Sequence, residues 1–194
     1  MLKANILGQI GNTPLLKLGR VTESPDVDIY VKCEFMNPGG SIKDRMALLM
    51  IEEAERSGEL KPGGTIVDQS TGNTGPALAF VGAVKGYKVQ LFLPAQLSSA
   101  YDPADRIRIA KIFGCNVTSI DLKKHIENIN MLSDVERAAA FVAIRMKHCY
   151  DLQQNDPSVW WSNQLCNVNN TKAHRDGTGK EIVEQMDGKV DAWI

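Results

Sequence analysis

No apolar run in this 194-residue chain approaches the roughly 20 residues needed to cross a bilayer. The opening residues, Met1-Leu2-Lys3-Ala4-Asn5, hold no apolar core of a secretory leader, so a cytoplasmic location is expected. Charge of one sign is lacking too. The 22 Lys+Arg stand against 23 Asp+Glu, a net charge of −1, which speaks against a broad basic field for nucleic acid. Cysteine is sparse: Cys33, Cys115, Cys149 and Cys166 share no C-x-x-C spacing. Neither a zinc site nor a redox pair is signalled, and the four read as buried thiols of a reducing compartment. His148 adjoins Cys149, but neighbours on a helix or strand point apart, which disfavours joint metal or nucleophile chemistry. No internal repeat, low-complexity tract or linker stands out.

What remains is an ordinary globular composition, 43% hydrophobic and 23% charged. Two polar segments stand out in it. In Asn37-Pro38-Gly39-Gly40-Ser41-Ile42-Lys43-Asp44-Arg45, the Asn-Pro and Gly-Gly pairs demand a tight, irregular turn. Ser41 can cap a following helix, with Asp44 completing an approximate capping box. Lys43 then falls in the first turn of a helix carrying Met46, Leu48, Leu49 and Ile51 and stopping at Gly58. The positive end of the helix dipole favours the neutral amine there, the form that attacks a carbonyl. Spacing alone also fits a solvated lysine at a helix start.

The second segment, residues 69–76, follows a short strand of the buried type over 65–68. It precedes a helix expected to start at Pro76 and end at Gly86. A polar loop between a strand end and a helix N-terminus is a natural anion site, and equally an ordinary βα connection. Residues 27–34, 88–93, 117–120 and 190–194 read as strands, with 150–155 as a further short one. A helix over 104–113 is expected to bury Ile109, Ile112 and Phe113. Ser133 and Glu136 form a capping box for another helix. That helix should turn Val135, Ala138, Ala139, Val142 and Met146 to one face and carry Arg145, Lys147 and His148 in its last turn. Trp160-Trp161 suits packing better than a cofactor stack. Alternating strands and helices argue for a doubly wound α/β arrangement.

Met36-Asn37-Pro38-Gly39-Gly40-Ser41-Ile42-Lys43-Asp44-Arg45 closely resembles the lysine motif of the cysteine synthase / cystathionine β-synthase family. These are pyridoxal-phosphate enzymes of the tryptophan-synthase-β fold type. The stretch lacks the glycine spacing and Lys-Ser/Thr pair of a Walker A loop. Ser70-Thr71-Gly72-Asn73-Thr74-Gly75 resembles the family's Thr-Ser-Gly-Asn-Thr-Gly loop, with two conservative changes. Gly11-Asn12-Thr13-Pro14 resembles its Gly-x-Thr-Pro signature, and Leu97-Ser98-Ser99 its Met-Ser-Ser/Leu segment, followed by an insertion at Tyr101-Asp102-Pro103. Asn163-Gln164-Leu165-Cys166-Asn167 is similar to its Gln-Phe/Tyr-x-Asn segment, and residues 173–182 to its His-Tyr-x-Thr-Thr-Gly-x-Glu-Ile stretch.

The resemblance implies a three-layer αβα fold with Lys43 as the catalytic Schiff-base lysine. It implies that Asn73 hydrogen-bonds the phenolic oxygen of pyridoxal 5'-phosphate. Ser70, Thr71, Gly72, Asn73 and Thr74, with Gln164, would hold the substrate's α-carboxylate, and His174 would be a structural hydrogen-bonding residue. No metal is implied. The implied reaction is β-replacement, with the cofactor as electron sink and the Lys43 amine taking the α-proton. O-acetylserine with sulfide is the leading substrate pair and serine with homocysteine the alternative. A reading of another class is a non-catalytic relative that binds a partner such as a serine acetyltransferase tail. A homodimer is the family's usual state. Residues 44–150 would form a smaller mobile domain, and 1–43 with 151–194 part of a larger one. In the family the strand at 190–194 leads into a Gly-Thr-Gly-Gly-Thr phosphate loop. The chain is therefore expected to be truncated, with the second half of the larger domain missing.

Overall fold

The computed structural model describes residues 5–21, 24, 26–95, 104–121, 124–126 and 131–194. The segment Leu97-Ser98-Ser99 and the insertion Tyr101-Asp102-Pro103 lie outside the described residues.

Strands β1 (Leu15–Lys17) and β2 (Tyr30–Lys32) pair antiparallel, with Leu16 opposite Val31. The strand expected over 27–34 is therefore only three residues long. Pro14 lacks an N–H and limits the ladder at β1, and the chain turns into a 3-10 helix at Glu34–Met36. Helix α1 (Lys43–Ser57) buries Met46, Ala47, Met50, Ile51 and Ala54 along one side. It ends at Gly58, whose φ of +78° is the left-handed conformation glycine accepts readily.

Next come β3 (Thr65–Gln69), α2 (Thr74–Lys85), β4 (Lys88–Pro94), α3 (Ala104–Ile112), β5 (Asn116–Ile120), α4 (Asp134–Asn155) and β6 (Val159–Trp161). The four strands form one parallel sheet in the order β5-β4-β3-β6. Neighbouring residues on a strand face opposite sides. Ile66 and Leu91 enter a core with α1 and α2, whereas Val67 and Phe92 enter a second core with Cys149 and Ile144 of α4. The expected three layers follow, with α1, α2 and α3 on one side and α4 on the other. Helix α5 (Val168–Ala173) packs on α1 and runs through a π-helical stretch, His174–Gly179, into α6 (Lys180–Gln185).

Several expectations need correction. Pro76 is the third residue of α2, not the first, because Asn73 takes the capping position and Thr74 and Gly75 precede it. Helix α3 leaves Ile109 and Ile112 exposed; Ala110 is its buried residue, and Phe113 packs on Phe80 with ring centroids 5.4 Å apart. Residues 150–155 are not a strand but the end of α4, which runs 22 residues because nothing before Pro157 breaks it. Arg145 and Cys149 are its buried residues, with Ile144 and Leu152 packed beside them, so Arg145 lies in mid-helix rather than in a solvated last turn. Residues 190–194 pair with no strand among the described residues and are exposed. Trp160 is buried in the first core, as packing would have it. Tyr150 lies within α4, and β6 beyond it is hydrogen-bonded to β3. Among the described residues no helix is long and apolar enough to cross a membrane.

Candidate active site

Lys43 is the first residue of α1, as its spacing suggests, but the cap is built differently. Ile42 takes the capping position without a side-chain bond, while Ser41 Oγ accepts from Lys43 N at 3.2 Å. The Asp44 carboxylate does not bond back to Ser41 N; only the Asp44 N–H reaches the Ser41 carbonyl, at 3.3 Å. Asp44 Oδ2 accepts from Gly39 N at 2.6 Å, so it ties down the turn ahead of the lysine. A Cβ on Gly39 would lie 2.4 Å from Asp44 Oδ1, so the turn closes this tightly only with glycine there. Asp44 is fully buried and its Oδ1 has no hydrogen-bond partner among the described residues. Burial, against the Gly39 bond, pushes its pKa up to about 6. Among the described residues nothing is hydrogen-bonded or ion-paired to Lys43 Nζ.

Beneath the lysine turn lies a charged pin that the sequence does not announce. Arg45 Nε and Nη2 donate to the Glu34 carboxylate at 2.7 and 2.8 Å, and Nη1 and Nη2 donate to Glu181 at 2.6 and 2.7 Å. Lys32 Nζ donates to Glu181 Oε2 and to the Thr13 carbonyl, both at 2.6 Å. Asn37 Nδ2 donates to Glu34 Oε2, and Asn37 Oδ1 accepts from Gly11 N. The Gly-x-Thr-Pro stretch, β2, the lysine turn and α6 therefore meet at one guanidinium. Burial alone would raise Glu181, but the bonds from Arg45, Lys32 and Asn12 N outweigh it and hold the carboxyl at about 2.

The second segment folds around Ser70. Its Oγ accepts from Gly75 N at 3.1 Å and Gly72 N at 3.3 Å, curling the loop onto the start of α2. Thr74 Oγ1 donates to Gln164 Oε1 at 2.5 Å, and Gln164 Nε2 donates to the Gln69 carbonyl at 3.2 Å. Asp68, buried at the end of β3, accepts from Ser162 Oγ, from Gln164 N at 3.3 Å and from Trp161 Nε1 at 3.4 Å. Burial pushes its pKa up, against those bonds. The structure thus brings Ser70, Thr74 and Gln164 together, with Thr71 and Gly72 in the loop between. Asn73 takes no part in these bonds; its Oδ1 accepts from Arg106 Nε at 2.9 Å. No hydrogen bond joins Lys43 to this loop among the described residues, but α1 and α2 pack on each other. His174 Nδ1 lies 3.0 Å from Thr178 Oγ1, in keeping with a structural role. Burial, then the charges of Lys43 and Arg45, pull its pKa down.

Sequence reading missed Arg45, Glu34, Glu181 and Asp68. Asp68 carried a signal, a carboxylate in a strand otherwise built for burial, which needs partners. Two surface hollows of about 480 and 400 Å³ flank Trp160 and Cys166, and neither is lined by Lys43 or the 70–74 loop. The chemistry of the donors, not the depth of a hollow, marks the site.

The description "pyridoxal-phosphate dependent enzyme" belongs to the family model that matches residues 6–194. Cysteine synthase 1 of Neurospora crassa is 38% identical over 188 residues, covering 97% of this chain and 45% of that protein. Cystathionine beta-synthase of Rattus norvegicus is 36% identical over 192 residues, covering 98% of this chain and 31% of that protein. The crystal structure of a cysteine synthase from Entamoeba histolytica superposes with a TM-score of 0.79 at 34% identity, over 98% of this chain and 52% of that one. The chain thus spans half or less of the length of the curated relatives named here. The residues present fit the family's cofactor: an aldehyde requires an unpaired amine such as Lys43 Nζ, and anionic oxygens require donors such as those of Asn73 and the 70–74 loop. With the match running almost end to end, the chain belongs to the pyridoxal-phosphate dependent enzyme family.

Proposed function

We propose that the chain serves pyridoxal-phosphate dependent β-replacement, forming L-cysteine from O-acetylserine and sulfide. The observation that carries this is the Thr74–Gln164 bond. It unites two segments 90 residues apart that the family resemblance assigns to one task, holding the α-carboxylate of an amino acid. Lys43 Nζ would hold the cofactor and move the substrate's α-proton. Asn73 would donate to the cofactor's ring oxygen, and Ser70, Thr71, Gly72, Asn73, Thr74 and Gln164 would orient the substrate by its carboxylate. Bound there, the cofactor would supply electron withdrawal from the α-carbon. The unit built on 44–150 would close over the substrate, with β6 travelling along because it is bonded to β3. A cytoplasmic homodimer that admits a serine acetyltransferase tail belongs to the same reading.

The likeness to cystathionine β-synthase is nearly as strong as that to cysteine synthase, so serine with homocysteine is the competing pair. Incubating the chain with pyridoxal 5'-phosphate, reducing with borohydride and mapping peptides by mass spectrometry should place the label on Lys43. Lys43→Ala should abolish both the visible absorbance band and cysteine formation. Label scattered over the other lysines, or cysteine formation that survives Lys43→Ala, overturns the reading. Product from homocysteine but not from sulfide assigns the competing pair.

A further inference from the structure

Asn73 sits where an asparagine normally caps a helix, yet its side chain makes no capping bond. The reason is local. A capping side chain serves the N–H groups of the second and third helical residues. In α2 these are Gly75, whose N–H already goes to Ser70 Oγ, and Pro76, which has none. The Asn73 amide is therefore released from capping.

It is taken up by Arg106 of α3, whose Nε donates to Asn73 Oδ1 at 2.9 Å. An arginine carries five N–H donors and no acceptor, so the amide atom it faces has to be the oxygen. The amide's orientation thus follows from the chemistry of its partner. Asn73 Nδ2 is left with no hydrogen bond among the described residues. Helix α3 packs on α2, and Phe113, just past its end, packs on Phe80 of α2.

We propose that Arg106 is a positioning residue for Asn73. By clamping Oδ1 it presents the Nδ2 hydrogens as donors to an anionic ring oxygen, that of pyridoxal 5'-phosphate. This rests on the function proposed above. Without the clamp the amide turns over freely, and half its orientations present oxygen to oxygen. Arg106 touches neither cofactor nor substrate in this role; it acts through Asn73.

The test is a double-mutant cycle on the full 194-residue chain, titrated with pyridoxal 5'-phosphate and read by visible absorbance. Arg106→Met should weaken cofactor binding about fivefold, the scale of one partly exposed charged hydrogen bond. Arg106→Lys, also a donor without an acceptor, should restore part of it. Asn73→Ala should weaken binding by at least as much, and adding Arg106→Met to it should change nothing further. The melting temperature of the cofactor-free protein should not move in either Arg106 variant. Affinity unchanged in Arg106→Met, or losses that multiply in the double variant, overturns the assignment while leaving the proposed function standing. Absence of a Lys43-dependent band in the unsubstituted chain overturns the proposed function and this assignment with it.

Discussion

The two halves of the candidate site are held by different physics. The lysine turn rests on a saturated cluster of full charges, in which Arg45, Glu34, Glu181 and Lys32 are mostly buried and each bond is short. The 70–74 loop is closed by neutral side chains, Ser70 Oγ, Thr74 Oγ1 and the Gln164 amide, with the buried Asp68 carboxyl behind them on Gln164 N. Charges out of water tolerate no loss of a partner, whereas neutral bonds exchange with water at little net cost. The contrast suits the division of labour proposed. An amine that bears a cofactor gains from a fixed position, and a loop that takes up and releases a carboxylate gains from bonds it can trade.

The largest expected effect comes from breaking the pin. Arg45→Met leaves Glu34 and Glu181 buried without their main counter-charge, which costs about 3–5 kcal/mol. Urea unfolding should show it, and a loss below about 1 kcal/mol would mean the cluster is no more than a surface pair. Acid sharpens the same point. Glu181 is held at about 2, below its ordinary value of 4.5. Its stabilisation is present above pH 4.5 and is lost as pH falls through 2.

Next in size is Asp44→Asn, with the opposite sign. Asp44 is raised to about 6 from 3.8, so the folded state prefers it protonated. Its ionisation lowers stability as pH rises from 3.8 through 6. The substituted amide keeps an oxygen for Gly39 N and carries no charge. The variant should gain about 2 kcal/mol at pH 7 and lose the slope between pH 4 and 6. Equal stability of the two proteins at pH 7 would show that the ionised carboxylate is solvated after all. About as large is Gly82→Ala, since a Cβ there would meet Val89 Cγ2 at 2.5 Å. Helix α2 would have to lift from β4, at about 1–3 kcal/mol by thermal unfolding, and the 70–74 loop would move with it.

What could be read in the sequence was local. Gly58 and Gly86 end their helices as expected, with φ of +78° and +83°, and the Ser133–Glu136 box caps α4. Such signals act within a few residues, so one stretch of sequence contains the whole interaction. The pin could not be read that way, because Arg45 meets Glu34 across 11 residues and Glu181 across 136. The inner face of α4 was misread for a related reason. Val135 and Ala138 have the right spacing, but α4 packs on β3 and β6, and its buried residues are Arg145 and Cys149, from mid-helix onward. Only the packed sheet decides which turn of a long helix is covered.

The smallest effect on stability, and the sharpest on ligand binding, is expected from Thr74→Val. Valine keeps the shape of threonine and removes the hydroxyl that donates to Gln164 Oε1. One neutral, part-buried bond is lost, a cost of about 1 kcal/mol in unfolding. Gln164 still reaches the Gln69 carbonyl through Nε2, so the two segments stay near each other. The carboxylate they are proposed to share loses the hydroxyl proton that Thr74 would turn to it from Gln164 Oε1. Affinity for O-acetylserine in the cofactor-loaded protein should fall about tenfold. A loss of stability as large as that of Arg45→Met would show that neutral and charged regions are braced alike, and the contrast between them would not stand. An unchanged affinity with the expected small loss of stability would keep the contrast and move the carboxylate elsewhere.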